Sequence, residues 1–599
     1  MSRSERWNTS HEIKRRFMET TNPHNGAGPV VYVENGIKYS DDSENHIAVI
    51  GRTGKGKSQC CSLPFIREIL LKRESLIMAD PKGECFRQNA CHIPPEYQVF
   101  CVDLRNPRKS PTKWNPLSTP LRLFKSSDPD DHDIASSMLS ELWAGVYPWD
   151  GHSDKFWVDA SINYAKGLTY GLFETAPEEQ INLDSVAVMM EQSEIRFGAG
   201  TVLKSFYESL PNESLAKRNL ATYATAPNDT RASIHSVAAS GLEVFSRSRG
   251  LMEMLGEDTL NIMDIDVTRP FFLAIITPDE TDCYDSLCAL LISQVTQHLI
   301  RVAQDMGGKL PVRVSVILEE LGSIGRGIVA LPNLMVASRS RNIRLMLILQ
   351  SYAQLFDVYG KSKAETIISC IGITFGFSTN SWDTLNEWSQ RCGQKQTMRG
   401  DHMVTEPLIT ASQLAAMPTA TCLVMVDNRY KFVSHLPFYD EMYDNTNWKP
   451  PALQQNNRPS RMKTIDFEEF VKDKRRAKLE ATLASYGAGG ASATTSREEP
   501  HEMSSSALDD LVARIDKRIA ELQAEEEQQR PYRVVVHRAS TAAVAKAIAS
   551  CTDKSEEEAA ERLKKLPASF YFDTKEEAEK AVEAIHKAKG LATVKKNNE

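Results

Sequence analysis

The chain has 599 residues, a net charge of −8 and a pI near 6.0. This length exceeds what one hydrophobic core serves, so we expect about two to four domains. The acidic balance excludes a protein that binds nucleic acid through its overall charge, and any such contact must come from a local basic surface or a lined channel.

The eleven cysteines form no CxxC pair, which excludes a regular zinc site or disulfide framework and indicates reduced thiols in a cytosolic protein. No secretory signal is visible, and the longest apolar runs, near 270–276 and 312–318, have only the length of strands. We therefore expect a chain that does not itself span a membrane.

The N-terminal region predicts an arm followed by a hairpin. Residues 1–28 are polar, and we expect them to be extended or disordered. Two β-rich runs then flank Asn35-Gly36, the dipeptide typical of a two-residue hairpin turn.

Residues 46–58 read HIAVIGRTGKGKS, an apolar strand followed by the spacing of a P-loop. In such a loop, backbone N–H groups and the next helix N-terminus bind phosphate. Lys57 would reach the β- and γ-phosphates, and Ser58 would hold Mg²⁺. The alternative is a Gly/Lys-rich turn without a ligand, but the flanking strand and helix patterns favour the nucleotide site. The predicted nucleotide-binding residues are Gly51, Thr53, Gly54, Gly56, Lys57 and Ser58.

Further strands indicate an α/β fold with a mainly parallel, doubly wound sheet. SLIMAD ends at Asp80 and QVFCVD ends at Asp103, and carboxylates at strand ends are typical of ligand sites in such sheets. The strand pattern stops at 128–240, where helical periods predict an all-α insertion domain, and then resumes. The predicted nucleotide-binding domain thus comprises 29–127 and 241–450.

The rest of the chain predicts a linker and a small domain. Residues 451–530 have the composition of a flexible linker with helices. Within it, 505–529 is amphipathic, and a docking helix and a solvated spacer helix remain equally open. Residues 531–599 predict a β-α-α-β-α-β domain that resembles the C-terminal domain of the bacterial ribosomal stalk protein, which implies a protein-binding module.

The second half of the nucleotide site is predicted at the end of the apolar strand VSVIL, in Glu319 and Glu320. A P-loop needs one carboxylate for the Mg²⁺ shell and another to polarise the attacking water. A plain surface turn is the alternative, but two buried acids are costly without a cation. Arg339 and Arg341 follow, either as a solvated face or as an arginine finger. Gln350 ends the next strand and is suited to positioning water.

Several motifs in order give a specific resemblance: GRTGKGKS, DPKGE, WNPL, DKFWVDAS, ILEELGSIG, PNLMVASRSRNIRLMLILQS and GFSTN. Together they resemble the TraG/TraD-type coupling proteins of type IV secretion and conjugation, over about 46–440. The resemblance implies a RecA-like ATPase that uses ATP and Mg²⁺, assembles as a homo-oligomer, expected to be a hexamer, and delivers relaxase-bound single-stranded DNA or protein substrates to a secretion channel.

The same resemblance implies roles for single residues. Glu320 is the catalytic acid, Arg339 the finger of a neighbouring subunit and Gln350 the sensor, while Ser58 and Glu319 hold the metal. Asp80, Lys82 and Glu84 match the DPKGE motif without fixed roles.

Two features depart from the family pattern. Glu319 stands where the family usually has Asp, and the usual N-terminal transmembrane helices are missing. We therefore expect a cytoplasmic protein held at the inner face of the membrane by a separate membrane partner, or a shortened chain.

Two other functions fit the same residues. One is a DNA pump of the FtsK/HerA type. The other is an ATP-binding receptor that recruits substrates without moving DNA.

Overall fold

The computed structural model describes residues 5–22, 24–149, 154–198, 200–246, 248–278, 284–320, 328, 330–399, 402–427, 429–444, 462–488, 530–539, 541–552 and 556–596. The chain divides into two compact units, Met1–Gln192 with Leu210–Phe467, and Ser193–Ser209 with Glu468–Glu599.

The N-terminal arm is more ordered than its polar composition predicts. A helix spans Ser10–Arg16, with a capping box in which Thr9 accepts from the Glu12 N–H. Ile13 and Phe17 are buried in the core of the first unit. The expectation of an extended or disordered arm is therefore wrong over this stretch, because two apolar residues anchor a well-capped helix.

The predicted hairpin is confirmed. Strands β1 (Met18–Glu19), β2 (Val30–Glu34) and β3 (Ile37–Ser40) form a small antiparallel sheet. Asn35 and Gly36 have φ values of 52° and 78°, the left-handed pair that a two-residue turn between twisted strands requires.

A nine-stranded sheet organises the first unit. Its strands in chain order are β4 (His46–Ile50), β5 (Ser75–Asp80), β6 (Gln98–Asp103), β7 (Phe271–Ile276), β8 (Val314–Leu318), β9 (Ile343–Leu349), β10 (Ile371–Gly376), β11 (Thr421–Val426) and β12 (Tyr430–His435). Across the sheet the order is β12-β11-β10-β4-β9-β8-β5-β7-β6.

Neighbouring strands pair in parallel, except that β11 is antiparallel to both β10 and β12. Every residue of the central strands β4, β5, β8 and β9 is buried, as expected for parallel strands covered on both faces. The predicted mainly parallel sheet is confirmed.

Helices cover this sheet at Leu63–Leu71, Glu84–Asn89, Asp285–Asp305, Leu331–Ser338, Ala353–Ser369, Trp382–Cys392, Ala411–Ala415 and Tyr439–Met442. The helix Ala353–Ser369 is broken at Gly360, whose φ and ψ are 70° and 167°. A separate hairpin pairs Gln394–Arg399 with His402–Pro407.

Among the described residues, one helix, Asp285–Asp305, is long and apolar enough to cross a bilayer, and 67% of its apolar window is buried inside the fold. Its Gln294 side chain donates to the Pro116 carbonyl at 2.9 Å. This helix packs as a core helix of the first unit.

The region 118–255, which includes the predicted helical stretch 128–240 and extends beyond it on both sides, carries helices at Ser118–Phe124, Pro129–Val146, Lys155–Thr175, Leu183–Gln192, Val202–Ser209, Leu215–Ala224, Asn228–Ser246 and Arg249–Leu255. Tyr164 stacks on Tyr223 with ring centroids 3.8 Å apart. Two strands of two residues each, Arg196–Phe197 and Gly200–Thr201, interrupt it, because a tight turn at Gly198, with φ of 59°, lets the chain pair with itself. Residues 193–209 group with the second unit.

The second unit contains a small sheet of β13 (Tyr532–Arg538), β14 (Ala568–Phe572) and β15 (Leu591–Lys596), ordered β14-β13-β15 and antiparallel throughout. Helices Thr541–Ala549, Glu556–Leu563 and Lys575–Lys587 complete the predicted β-α-α-β-α-β order around a separate apolar core. The likeness to the ribosomal stalk protein stays a prediction. The helix Phe467–Ala488 precedes this domain, and the amphipathic stretch 505–529 lies outside the described residues.

A buried charge network ties the N-terminal segment to the amino ends of the parallel strands. Arg344 is 1% exposed and donates to the carbonyls of Ala27 and Ser43, both at 3.0 Å. Its guanidinium and that of Arg313 each lie 3.8 Å from the Glu74 carboxylate. Burial lowers the pKa of Arg344 to about 10, still well above neutrality, so the charge is retained and must be compensated.

We predict that Arg344→Ala lowers the free energy of unfolding of the first unit by about 3–5 kcal/mol, because it leaves the buried Glu74 with only one of its two arginine neighbours. Urea unfolding followed by tryptophan fluorescence measures this. The control is Arg269→Ala, since Arg269 is exposed and only 4.0 Å from Asp266. Equal stability of the two variants would contradict the prediction.

Candidate functional site

The P-loop follows β4, and its backbone requires glycine at three positions. Gly54 and Gly56 have φ values of 79° and 95°, a region that side chains disfavour. A Cβ on Gly51 would lie 2.5 Å from the Phe377 Cβ. The spacing in the sequence therefore reflects the shape that the loop must take.

The loop is braced by neighbouring strands. The N–H of Gly51 donates to the Leu349 carbonyl at the end of β9, at 3.1 Å, and the N–H of Arg52 donates to the Ser378 carbonyl just after β10, at 3.0 Å. On the other side, the Lys55 ammonium donates to the Met417 carbonyl at 3.0 Å. The loop is thus held in place by the protein itself.

Lys57 and Ser58 turn toward the inside of the loop. The Lys57 ammonium donates to the Gly51 carbonyl at 2.6 Å. Burial lowers its pKa, and the nearby Glu319 and Glu320 oppose that shift. The following residues Ser58–Ser62 form one π-helical turn, an irregularity that is frequent at functional sites.

Glu319, directly after β8, is the more buried of the two acids that line the cavity, at 5% exposure. Its Oε2 accepts from the Ser58 hydroxyl at 3.4 Å, and its Oε1 accepts from the Cys85 thiol at 3.7 Å. Burial raises the pKa of Glu319 to about 7, with Asp80 adding to the shift. A carboxylate in this setting is stabilised by a cation at its side.

Glu320 leaves the strand with a left-handed backbone, at φ of 51°. This conformation is uncommon outside glycine and asparagine. The chain therefore leaves the extended path of β8 at this residue. Glu320 lines the same cavity as Glu319.

These groups enclose one cavity of about 300 Å³. The residues that line it are Thr53, Gly54, Gly56, Lys57, Ser58, Gln59, Lys82, Glu319, Glu320, Ile348, Leu349, Gln350 and Gln354. Lys57 and Glu319, far apart in the chain, therefore face one space, as the sequence predicted, whereas Gly51, also predicted to bind nucleotide, is not among the residues that line it.

Gln350 lies at the cavity wall, and sequence reasoning missed its neighbour Gln354. The Gln354 Oε1 accepts from the Gln350 N–H at 2.8 Å, and the Thr379 hydroxyl donates to the Gln350 carbonyl at 2.9 Å. The spacing of four residues, with Gln354 in the first turn of the next helix, is the signal that would have found it.

The DPKGE motif splits into structural and site residues. The Asp80 carboxylate accepts from the Phe86 N–H at 2.8 Å, and burial raises its pKa to about 6. Gly83 closes this turn at φ of 66°. Lys82 lines the cavity, whereas Glu84 stands in the first turn of a helix.

Arg339 is not brought to the cavity of its own chain. It is exposed, in the turn between the helix Leu331–Ser338 and β9. It lowers the pKa of His46 and of Glu44, although burial and Lys309 respectively are the main causes. Because His46 begins β4 and the P-loop follows the end of β4, Arg339 lies at the opposite edge of the sheet.

The residues present fit a magnesium-bound nucleoside triphosphate. The loop offers inward N–H groups and an ammonium, and the Ser58–Glu319 pair offers oxygen ligands, which Mg²⁺ prefers. Within the described ranges no group of three or more His, Cys, Asp or Glu residues forms a metal site. A cation would therefore share its ligands between this pair and the phosphates.

A family of known proteins matches most of the chain. The family model for type IV secretory system conjugative DNA transfer matches residues 2–417. No curated protein matches the chain.

Among solved structures, the unbound bacterial conjugative coupling protein TrwBdeltaN70 is similar with 17% identity and a TM-score of 0.54, covering 76% of this chain and 96% of its own. The plasmid coupling protein TrwB in complex with the ATP analogue ADPNP is similar with 17% identity and a TM-score of 0.54, covering 76% and 97%. These two likenesses establish a shared RecA-type fold.

The family model covers well over half of the chain, and its match includes the P-loop, both acids after β8 and Gln350. The chain therefore belongs to the family of type IV secretory system conjugative DNA transfer proteins.

Proposed function

We propose that this protein is an ATP-hydrolysing coupling protein that drives relaxase-bound single-stranded DNA, or protein substrates, toward a type IV secretion channel. The observation that carries the proposal is the Ser58–Glu319 contact. It joins groups 261 residues apart in the chain beside the P-loop ammonium. The ADPNP complex of TrwB, which shares the fold, supports the choice of nucleotide.

In this proposal each side chain has one task. Bound ATP with Mg²⁺ supplies the phosphoanhydride bond whose hydrolysis drives transport. The loop N–H groups and Lys57 bind the phosphates, and Ser58 with Glu319 holds the metal. Glu320 accepts the proton of the attacking water, and Gln350, whose backbone N–H is held by Gln354, positions that water.

The Glu319 side chain is one methylene longer than the aspartate usual in the family. Its burial and its 3.4 Å contact with the Ser58 hydroxyl support a metal held at this oxygen pair despite the longer reach. The magnesium requirement of hydrolysis tests this assignment directly.

Lys57→Ala should lower ATP hydrolysis by at least about 100-fold, because it removes the cation that stabilises the charge developing on the phosphates. Phosphate release, measured with and without single-stranded DNA under oligomer-forming conditions, gives the rate.

In the same assay, Glu319→Gln should raise the Mg²⁺ concentration needed for half-maximal rate.

The matched control is Lys361→Ala, which removes an exposed lysine and should leave the rate unchanged. If the wild-type protein hydrolyses no ATP, even with DNA present, the assignment as a motor is wrong. It would favour an ATP-binding receptor that does not move DNA.

The second part of the proposal is that the protein assembles into a ring, expected to be a hexamer. Substitution of Arg339 tests this assembly. An exposed arginine at the edge opposite the P-loop can reach a γ-phosphate only in another copy. Arginine fingers are worth about 10³–10⁵ in rate.

Arg339→Ala should therefore lower turnover by about 1,000-fold while leaving the ATP dissociation constant unchanged. Arg341→Ala is the control, because the Arg341 guanidinium donates to its own helix at the Ala337 carbonyl. Mixing Arg339→Ala with Lys57→Ala should restore part of the rate, since some mixed interfaces combine an intact loop with an intact arginine. Weakened ATP binding, or no restoration, would contradict the shared site.

The C-terminal unit is proposed to bind a protein partner, such as the relaxase or a channel component. The separate core of the β-α-α-β-α-β domain supports an independent module. Deletion of 505–599 should leave ATP hydrolysis largely intact and weaken binding of a purified relaxase or channel component, measured by pull-down. Full loss of hydrolysis on deletion would refute the modular assignment.

A further inference from the structure

A second cavity of about 360 Å³ lies beside the first, at the same edge of the sheet. It opens where β5, β6 and β7 end. Its lining residues are Lys82, Gly83, Phe86, Arg87, Cys101, Asp103, Arg105, Asn106, Lys109, Pro111 and Ile276. No role in nucleotide binding has been given to this cavity.

The lining carries four cations and one carboxylate. That carboxylate, of Asp103, is engaged in its own turn. Its Oδ1 accepts from the N–H groups of Arg105 and Asn106, each at 3.0 Å, and its Oδ2 accepts from the Asn106 side chain at 3.3 Å. Among the described residues of the lining, cations therefore outnumber carboxylates, although the whole chain is acidic.

The shape of the cavity favours a phosphate on a continuous chain. Lys82, Arg87 and Lys109 are exposed at its rim, so a polymer can enter and leave. Among the described residues of the lining, Phe86 is the one aromatic side chain, and at 1% exposure it offers no face for a base to stack on. Recognition here depends on charge and is blind to sequence, as a translocase requires.

We propose that this cavity binds a phosphodiester group of the transported single-stranded DNA, through Arg105 and Lys109 together with Lys82 and Arg87. The assignment of the ligand rests on the proposed function. Forked guanidinium donors and ammonium groups are the side chains that bind phosphate oxygens.

Lys82 lines both cavities. A phosphodiester that attracts the Lys82 ammonium changes the positive potential at the nucleotide phosphates. This shared residue gives a physical route by which DNA occupancy changes the rate of ATP hydrolysis.

The test is the double variant Arg105→Gln/Lys109→Gln, which leaves the nucleotide cavity unaltered. Binding of a fluorescent oligothymidylate is measured by anisotropy over a range of salt concentrations. Binding should weaken about tenfold, and the slope of log K against log salt should fall in magnitude by about 0.7, the value for one lost phosphate on a single strand. Basal ATP hydrolysis should be unchanged, and its stimulation by DNA should be reduced.

The control is Lys361→Gln/Lys363→Gln, which removes the same charge from an exposed helix. Equal weakening in both double variants, or unchanged binding in the first, would overturn the inference while leaving the proposed function standing. A wild type that binds no single-stranded DNA would overturn the inference together with the DNA-transport part of the proposed function, and would leave only protein substrates. Inorganic phosphate, titrated at constant ionic strength, distinguishes a free phosphate ligand. Phosphate that binds the wild type but not the variant, without displacing DNA from the wild type, would overturn the DNA assignment.

Discussion

The parallel pairing of β4 with β9 and β10 is the constraint on which the site depends. It aligns Ile50 with Leu349 and with Gly376, so three strands end together at one edge. The N–H groups of Gly51 and Arg52 at the start of the P-loop can then donate to carbonyls at the end of β9 and just after β10. Because β8 pairs in parallel with β9, Glu319 and Glu320 lie at the same edge of the sheet. One register therefore brings distant parts of the sequence into a common cavity.

Burial changes the acidity of the carboxyl group at this edge of the sheet. An acid at a strand end on the surface would be an ordinary solvated carboxylate. Glu319 instead lies under the loop, between a thiol and a hydroxyl, where the pKa of its carboxyl rises because water is excluded. The cost of this burial is offset by Lys57 and, in the proposed nucleotide complex, would be offset further by a metal. The same sheet places the compensated Arg344–Glu74 network at the other edge.

The sequence predicts best those features that have a local cause. Asn35-Gly36 specifies its own turn, and the P-loop glycines are forced by φ or by a close neighbour. The capped helix Ser10–Arg16 was missed because its stability comes from Phe17 packing against Tyr430, a contact invisible along the chain. The position of Arg339 follows from strand direction, which the motif alone does not show. The second cavity combines residues from the ends of three strands, so no single sequence motif predicts it.

The break at Gly360 has a mechanical consequence. A helix transmits tilt along its axis only while its hydrogen-bond ladder is continuous, so the first segment, which carries Gln354, can reorient as a short lever without turning the second. The Tyr359 hydroxyl, at the far end of that lever, accepts from the Ile328 N–H at 2.9 Å. Ile328 lies a few residues beyond Glu320 along the chain. The part of the helix before Gly360 thus joins Gln354, which lines the nucleotide cavity, to Ile328 through the Tyr359 hydroxyl.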